Sequence, residues 1–310
     1  MGKRKSAGRA AEGIGRKRKM NKKKIRKART GIRKMLLEAV LFFPVFLVCI
    51  PILLILTGGF MARDELREGL SPVFTGMGNY IRWSLMPDYP TFENYRKMLF
   101  ETPQFFVLFW NSVKMTGCIL AGQLLIGVPA AWAFAVYRFP MGKALFTVYV
   151  VLMLLPFQVM MLSNYLVLDG LHLMNTQWAV IGPAVFSTFP VFICYGGFKQ
   201  IPAAMLESAR IDGAGEVCVF FRIGLPLGRG GILSAMTLGF LEYWNLMEQP
   251  LAFLESKELW PLSLYLPEIS WQQAGYAFAA SLITLIPPVF VFLMGQEYLE
   301  QGIVYAGLKG

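Results

Sequence analysis

Residues 201–215 read Ile-Pro-Ala-Ala-Met-Leu-Glu-Ser-Ala-Arg-Ile-Asp-Gly-Ala-Gly, a polar stretch between two long apolar runs. Pro202 suits the first turn of a helix, the residues after it favour helix, and Gly213 can end it. Residues 216–222 then read as a second short helix that ends at Leu225-Pro226. The stretch therefore predicts a helix-turn-helix that connects two apolar segments.

The apolar segments around this stretch are long enough to cross a membrane. Of the 310 residues, 55% are hydrophobic and 16% are charged, whereas an average soluble domain has about 25% charged residues. A helix needs roughly 20 apolar residues to span the hydrocarbon core. Six segments meet this requirement, at residues 36–61, 105–137, 144–168, 174–198, 231–253 and 271–297. The sequence predicts an all-α polytopic membrane protein with six transmembrane helices.

The basic residues are concentrated at the N-terminus. Sixteen of the 30 Lys and Arg residues lie in residues 3–34. The positive-inside rule places this tail in the cytoplasm, and an even number of spans then places both termini there. We expect residues 1–34 to form a disordered tail attracted to anionic headgroups, residues 35–310 to form the membrane domain, and the loop 199–229 to be cytoplasmic.

Several function classes are disfavoured by what the chain lacks. The four cysteines lie far apart without C-x-x-C spacing, and the single histidine is His172, so neither a metal site nor a catalytic residue is assigned. No G-x-x-x-x-G-K-[ST] phosphate loop occurs, so ATP-driven work would need another chain. A membrane-embedded enzyme and a membrane scaffold that recruits a soluble partner through its tail remain as alternatives.

The predicted fifth span carries polar residues near its middle. On a helix with 100° per residue, one face of about 120° would hold four polar side chains and have an aromatic ring nearby. These residues are Glu242, Asn245, Glu248 and Gln249, with Trp244 beside them. A charged group at this depth is costly unless it faces protein or water. The face could line a sugar pathway, or Glu242 could pack against Lys114, and a proton relay is a third possibility.

The polar stretch resembles a known motif. Its pattern is similar to E-A-A-x3-G-x9-I-x-L-P of ABC importer permeases, and residues 207–214 resemble the E-A-A-R-I-D-G-A form of carbohydrate importers of the maltose-permease type. The matching positions are Glu207-Ser208-Ala209, Gly213, Ile223 and Leu225-Pro226, with Ser208 in place of the first alanine.

Further matches extend the resemblance over about 275 residues and leave out the basic tail. They are Thr91-Phe-Glu-Asn-Tyr95, Trp110-Asn-Ser112, Asn175-Thr176 with Trp178-Ala179, Trp244-Asn245 with Pro250-Leu251, and Gly307-Leu-Lys-Gly310.

The resemblance implies a subunit of a type I ABC importer in the bacterial cytoplasmic membrane. Such a subunit would move a sugar or oligosaccharide inward and would have no ATPase site or cofactor of its own. Its implied partners are a second homologous permease, two ATPase subunits that bind ATP and Mg, an extracytoplasmic sugar-binding protein and membrane lipid, without nucleic acid. The implied coupling residues that contact the ATPase are Glu207, Ser208, Ala209, Arg210, Asp212 and Gly213. The resemblance also places Trp244-Asn245 in the span that borders the pathway.

Overall fold

The computed structural model describes residues 34–35, 38, 40–74, 80–81, 83–84, 86–265 and 271–307. Within these residues every regular element is helical. The chain divides into two compact units, Met1–Thr57 and Gly58–Gly310. The predicted basic tail lies outside the described residues except for Lys34.

The helices are numbered in chain order. They are α1 (Val40–Phe60), α2 (Arg63–Phe74), α3 (Glu93–Glu101), α4 (Pro103–Gly122), α5 (Val128–Val136), α6 (Gly142–Met153), α7 (Phe157–Gly170), α8 (Trp178–Val185), α9 (Thr188–Lys199), α10 (Ala203–Ile211), α11 (Glu216–Val219), α12 (Leu225–Trp244), α13 (Glu248–Phe253) and α14 (Ala274–Gly307).

Five helical segments in the described residues are long and apolar enough to cross a membrane, and a bent helix pair brings the number to six. The five are Val40–Phe60, Pro103–Val136, Trp178–Lys199, Glu216–Trp244 and Ala274–Leu299. The predicted all-α class is confirmed, and the predicted number of six spans is reached if the bent pair counts as one span. Two of the predicted spans need correction.

The third predicted span, 144–168, is not a single helix. Helices α6 and α7 meet at an angle of 105° across a short break. Pro156 has an extended backbone with ψ of 146° and precedes α7. Because proline has no N–H and disfavours helical geometry in the residue before it, α6 ends ahead of Pro156 and α7 starts in a new direction. Pro287 and Pro288, by contrast, lie inside the continuous helix α14.

The fifth predicted span, 231–253, is displaced toward the N-terminus. The helical segment runs from Glu216 to Trp244, so the predicted short helix 216–222 does not end at Leu225-Pro226 but continues into the span. Asn245 adopts φ −99° and ψ 13° after the last turn, and a separate helix α13 begins at Glu248. The prediction was wrong here because it read Leu225-Pro226 as a helix end.

A π-helical turn explains how the helix passes this proline. Residues Phe220–Gly224 form the turn, and the N–H of Leu225 donates to the carbonyl of Phe220, five residues earlier. The same arrangement occurs at Gln123–Gly127, ahead of Pro129, where Val128 donates to Gln123. A π-helical turn shifts the hydrogen-bond register, and this lets the helix continue into a proline that cannot donate.

Glycine allows a close backbone contact between two helices of the second unit. A Cβ atom added at Gly231 of α12 would lie 3.1 Å from the Cα atom of Gly197 on α9 and 3.3 Å from the carbonyl oxygen of Ile193. Both neighbours are backbone atoms, which cannot rotate away. Small residues at such contacts are typical of helix packing in membranes, so α9 and α12 form a closely packed pair.

Asparagines from the sequence motifs fix the connections between spans. Asn94 donates from Nδ2 to the carbonyl oxygens of Gly59 and Met61, at 3.2 and 2.9 Å. Asn175, with φ of 53°, accepts at Oδ1 from the N–H groups of Glu255 and Ser256. Because each side chain satisfies backbone groups far away in the sequence, these motif residues order the loops.

Asn111 has the same role in a third connection. Its Nδ2 donates to the carbonyl oxygens of Glu258 and Trp260, at 2.6 and 3.0 Å, while its Oδ1 accepts from Gln177 Nε2 at 2.9 Å. The neighbouring Ser112 Oγ accepts from the N–H of Leu262 at 2.8 Å. The Asn-Ser pair of the motif thus ties α4 to the loop before α14.

Candidate functional site

The predicted coupling helix is α10, and a glycine-dependent cap ends it. Gly213 has φ of +86°, and its N–H donates to the carbonyl of Arg210 while the N–H of Ala214 donates to the carbonyl of Ala209. These two bonds form a Schellman cap, in which the residue with positive φ is usually glycine. No atom lies within 4 Å of a Cβ placed on Gly213, so the glycine is required here for its backbone conformation and not for space within this chain.

A charged cluster holds α10 against α11. Arg210 donates from Nε to Glu216 Oε1 at 2.8 Å and from Nη2 to Glu216 Oε2 at 3.1 Å, a bidentate pair. Tyr137, just after α5, donates from Oη to Glu216 Oε2 at 2.8 Å. The hydrogen bond to Glu216 raises the pKa of the Arg210 guanidinium. The cluster fixes the angle between the two helices and links them to the end of α5.

An apolar anchor attaches α10 to the spans. Leu206 is 5% exposed and belongs to a buried cluster with Val219, Phe198 and Trp132. The rings of Trp132 and Phe198 meet edge to face with centroids 5.2 Å apart. Leu206 shares this buried cluster with residues from three other helices, so close packing joins α10 to the spans.

The opposite face of α10 is available to another protein. Glu207, Ser208, Asp212 and Gly213 are exposed, and Ile211 is 85% exposed. An isoleucine this exposed between two polar residues can fill an apolar pocket on a partner. The face therefore combines a carboxylate pair, a small residue and an apolar side chain.

The structure divides the six predicted coupling residues into two groups. Glu207, Ser208, Asp212 and Gly213 lie on the exposed face. Ala209 packs against the buried cluster, and Arg210 pairs with Glu216. Ala209 and Arg210 thus have the geometry of positioning residues. Sequence reasoning missed Glu216 and Tyr137, since no spacing rule connects Tyr137 to a residue 79 positions away.

The second candidate site, on the predicted fifth span, needs correction. Because α12 ends at Trp244, Glu242 lies on a different helix from Glu248 and Gln249. The four polar residues do not share one continuous helix face, which was the basis of the prediction. Asn245 follows the last turn, and its Nδ2 donates to the carbonyl of Leu241 at 2.9 Å.

Trp244 lies in the interior of the second unit. It is 2% exposed, and its Nε1 donates to the carbonyl of Thr284 on α14 at 3.1 Å. Phe240 stacks on the ring with an interplanar angle of 14°, and Phe109 meets it nearly perpendicularly. Neighbouring side chains pack around the indole ring, so Trp244 has the geometry of a packing residue at the junction of α4, α12 and α14.

The polar side chains near Trp244 differ from it in their exposure and in their hydrogen-bond partners. Glu242 and Asn245 are exposed, and Glu248 accepts at both carboxylate oxygens from Gln158 Nε2, at 2.9 and 3.0 Å. The side-chain oxygen of Gln249 is buried without a hydrogen-bond partner within the described structure. No ion pair joins Glu242 to Lys114 in the part of the chain that the structure describes.

The described residues contain no group of three or more His, Cys, Asp or Glu side chains arranged to hold a metal ion. Their polar clusters consist of ion pairs, amides and hydroxyls. This donor set suits contacts with a protein partner or a neutral polar substrate.

Comparison with known proteins identifies similar chains. Residues 123–305 match the family model described as binding-protein-dependent transport system inner membrane component. The arabinooligosaccharides transport system permease protein AraQ of Halalkalibacterium halodurans is 28% identical over 272 residues, covering 86% of this chain and 94% of that protein.

Two solved structures have a similar fold. One is a bacterial ABC transporter involved in the import of the acidic polysaccharide alginate, with a TM-score of 0.75, 19% identity, and coverage of 86% of this chain and 96% of that one. The other is a bacterial alginate ABC transporter in complex with an alginate pentasaccharide-bound periplasmic protein, with a TM-score of 0.51, 18% identity, and coverage of 86% and 94%.

Proposed function

Because the chain belongs to the family of binding-protein-dependent transport system inner membrane components, we propose that it translocates a sugar or oligosaccharide across the bacterial cytoplasmic membrane. It is a multi-pass membrane protein and a transport subunit of an ABC importer, not an enzyme. Its relative AraQ is a permease protein of an arabinooligosaccharides transport system, which supports a carbohydrate substrate. The fold shared with an alginate importer is consistent with this class of substrate.

The proposal assigns ATP hydrolysis to separate ATPase subunits that bind ATP and Mg and dock on α10. The observation that carries this assignment is the hairpin itself, an exposed helix whose inner face is anchored through Leu206 and whose outer face presents Glu207, Ser208 and Ile211. A rigid element with one anchored face and one free face can pass a displacement from a partner to the spans.

The substrate pathway is proposed to pass the end of α12. Glu242 and Asn245 are exposed there, and Gln249 has an oxygen without a partner in the described structure. Sugar hydroxyl groups can donate to such carboxylate and amide oxygens. Trp244 supports this region by packing behind it and does not itself stack on the sugar.

Further partners complete the proposed importer. A second homologous permease would cover exposed apolar surface, and an extracytoplasmic sugar-binding protein would deliver the substrate, as the alginate transporter bound to its periplasmic protein suggests. The distribution of basic residues supports cytoplasmic termini and a cytoplasmic α10. The basic tail at residues 1–34 would contact anionic lipid on that side.

Reconstitution tests the function and the orientation together. In vesicles that contain the chain with its second permease and ATPase subunits, the sugar-loaded binding protein should stimulate ATP hydrolysis and sugar uptake. ATP should support uptake only from the side on which α10 lies, because the ATPase binds there. An importer that takes up sugar without ATP, or that works with ATP on the opposite side, would contradict the proposal.

A further inference from the structure

A large cavity lies beside α10, at the same end of the spans. Its volume is about 1250 Å³, and its walls come from the end of α5, the start of α6, the end of α9 and the start of α10. Two kinds of side chain line it. Three are cationic, Arg138, Lys143 and Lys199, and much of the remaining lining is aromatic or aliphatic.

The three cations have no acidic partner in the part of the chain that the structure describes. Among the described residues, no Asp or Glu side chain lines the cavity. The nearby carboxylate of Glu216 already accepts hydrogen bonds from Arg210 and Tyr137. Three positive charges around one cavity therefore create an uncompensated attraction for an anion.

The rest of the lining suits an acyl chain. Phe134, Phe146 and Phe198 line the cavity, and Phe146 lies 4.1 Å from Tyr195 between ring centroids. No residue of α6 is fully buried, although Phe146 packs against Tyr195 of α9, so α6 forms a partly exposed wall of the cavity. A ligand with an anionic head and an apolar body would match both parts of the lining.

We propose that this cavity binds an anionic phospholipid, with its phosphate against Arg138, Lys143 and Lys199 and the upper part of an acyl chain against the aromatic lining. Basic pockets between transmembrane helices are a recurring way to hold such headgroups. An acidic protein segment would also satisfy the cations, but it would not use the aromatic lining.

The position of the cavity gives the lipid a consequence for α10. Ala203 and Leu206 of α10 line the same cavity, and Leu206 is the anchor that attaches this helix to the spans. A bound lipid would fill the space next to the anchor and support α10 in its present position. This step rests on the proposed coupling function, whereas lipid binding itself does not.

The test measures lipid binding and not transport. Its result can therefore be interpreted even if the proposed transport function is wrong. Native mass spectrometry of the isolated complex should show dioleoylphosphatidylglycerol bound more tightly than dioleoylphosphatidylcholine. The double variant Lys143→Gln/Lys199→Gln should bind phosphatidylglycerol about tenfold more weakly, because two of three phosphate contacts lose their charge. The matched control Arg222→Gln/Arg229→Gln removes two exposed charges that do not line the cavity and should retain wild-type binding.

Three results would overturn the proposal. Equal losses of phosphatidylglycerol binding in the two double variants would mean a general charge effect. Displacement of the lipid by millimolar inorganic phosphate would mean a site for a free anion. Unchanged lipid binding together with loss of the ATPase subunits from Lys143→Gln/Lys199→Gln would mean that the cations contact an acidic protein surface instead.

Discussion

Gly213→Leu should reduce sugar uptake at least about 30-fold while the chain stays in the membrane, because it adds backbone strain and a bulky side chain at the partner surface. The strain follows from φ of +86° at this position. Among the described residues, no atom lies within 4 Å of the new Cβ, so the chain itself leaves space where the added side chain begins. A partner that covers α10 would then clash with the added leucine.

Two control variants separate strain from clash. Gly213→Ala introduces the same strain, about 1–2 kcal/mol, without the bulk, and should retain measurable uptake. Gly215→Leu places the same bulk two residues later, where φ is −66° and no neighbour lies within 4 Å. If Gly213→Ala abolishes uptake as completely as Gly213→Leu, a clash with a partner is not needed to explain the loss, and the docking interpretation of Gly213 fails.

Trp244→Ala should lower the amount of assembled permease, because removing a buried tryptophan from a core costs about 3–5 kcal/mol. The residue is 2% exposed, packs between Phe240 and Phe109, and donates to the Thr284 carbonyl. Extraction yield and the thermal unfolding midpoint of the purified complex would measure the loss.

The neighbouring Asn245→Ala should behave in the opposite way. Asn245 is exposed and its side chain bonds only to the carbonyl of its own helix at Leu241 within the described structure. Assembly should stay near wild type, and uptake should fall about three- to tenfold for the loss of one hydrogen bond to the sugar. An assembly defect equal to that of Trp244→Ala would show that this end of α12 serves packing alone.

Glu242 gives a further control for this region. Glu242→Gln should also reduce uptake without loss of assembly, and Lys114→Met should not rescue it, since the described residues contain no ion pair between the two. Rescue of an assembly defect by the double variant would establish the charge pairing that the structure lacks.

Hydropathy predicts the number and class of the spans because the requirement for about 20 apolar residues is nearly independent of tertiary contacts. Helix ends depend on details that hydropathy does not report. Leu225-Pro226 looks like a stop, yet the π-helical turn at Phe220–Gly224 carries the helix through it. Pro156 does end a helix, whereas Pro287-Pro288 lies inside one. The same residue type has three outcomes, and the neighbouring hydrogen bonds decide between them.

The proposed coupling hairpin could be located from its motif, but the roles of its individual residues could not be told apart. Arg210 and Asp212 are both charged residues of one short segment, and only the fold shows that Arg210 pairs with Glu216 while Asp212 is exposed. Ile211 would be expected to face inward as an apolar residue, yet it is 85% exposed. The exception marks the surface where a partner is proposed to bind.

The central claim, that a separate ATPase docks on the exposed face of α10, is tested most directly by site-specific cross-linking. In a variant whose four native cysteines are replaced, a cysteine at Ser208 should cross-link to the ATPase subunit of the isolated complex. A cysteine at Glu68, which is also exposed but lies on α2, should not. Absence of the Ser208 product in an intact complex, or an equal yield from Glu68, would contradict the account.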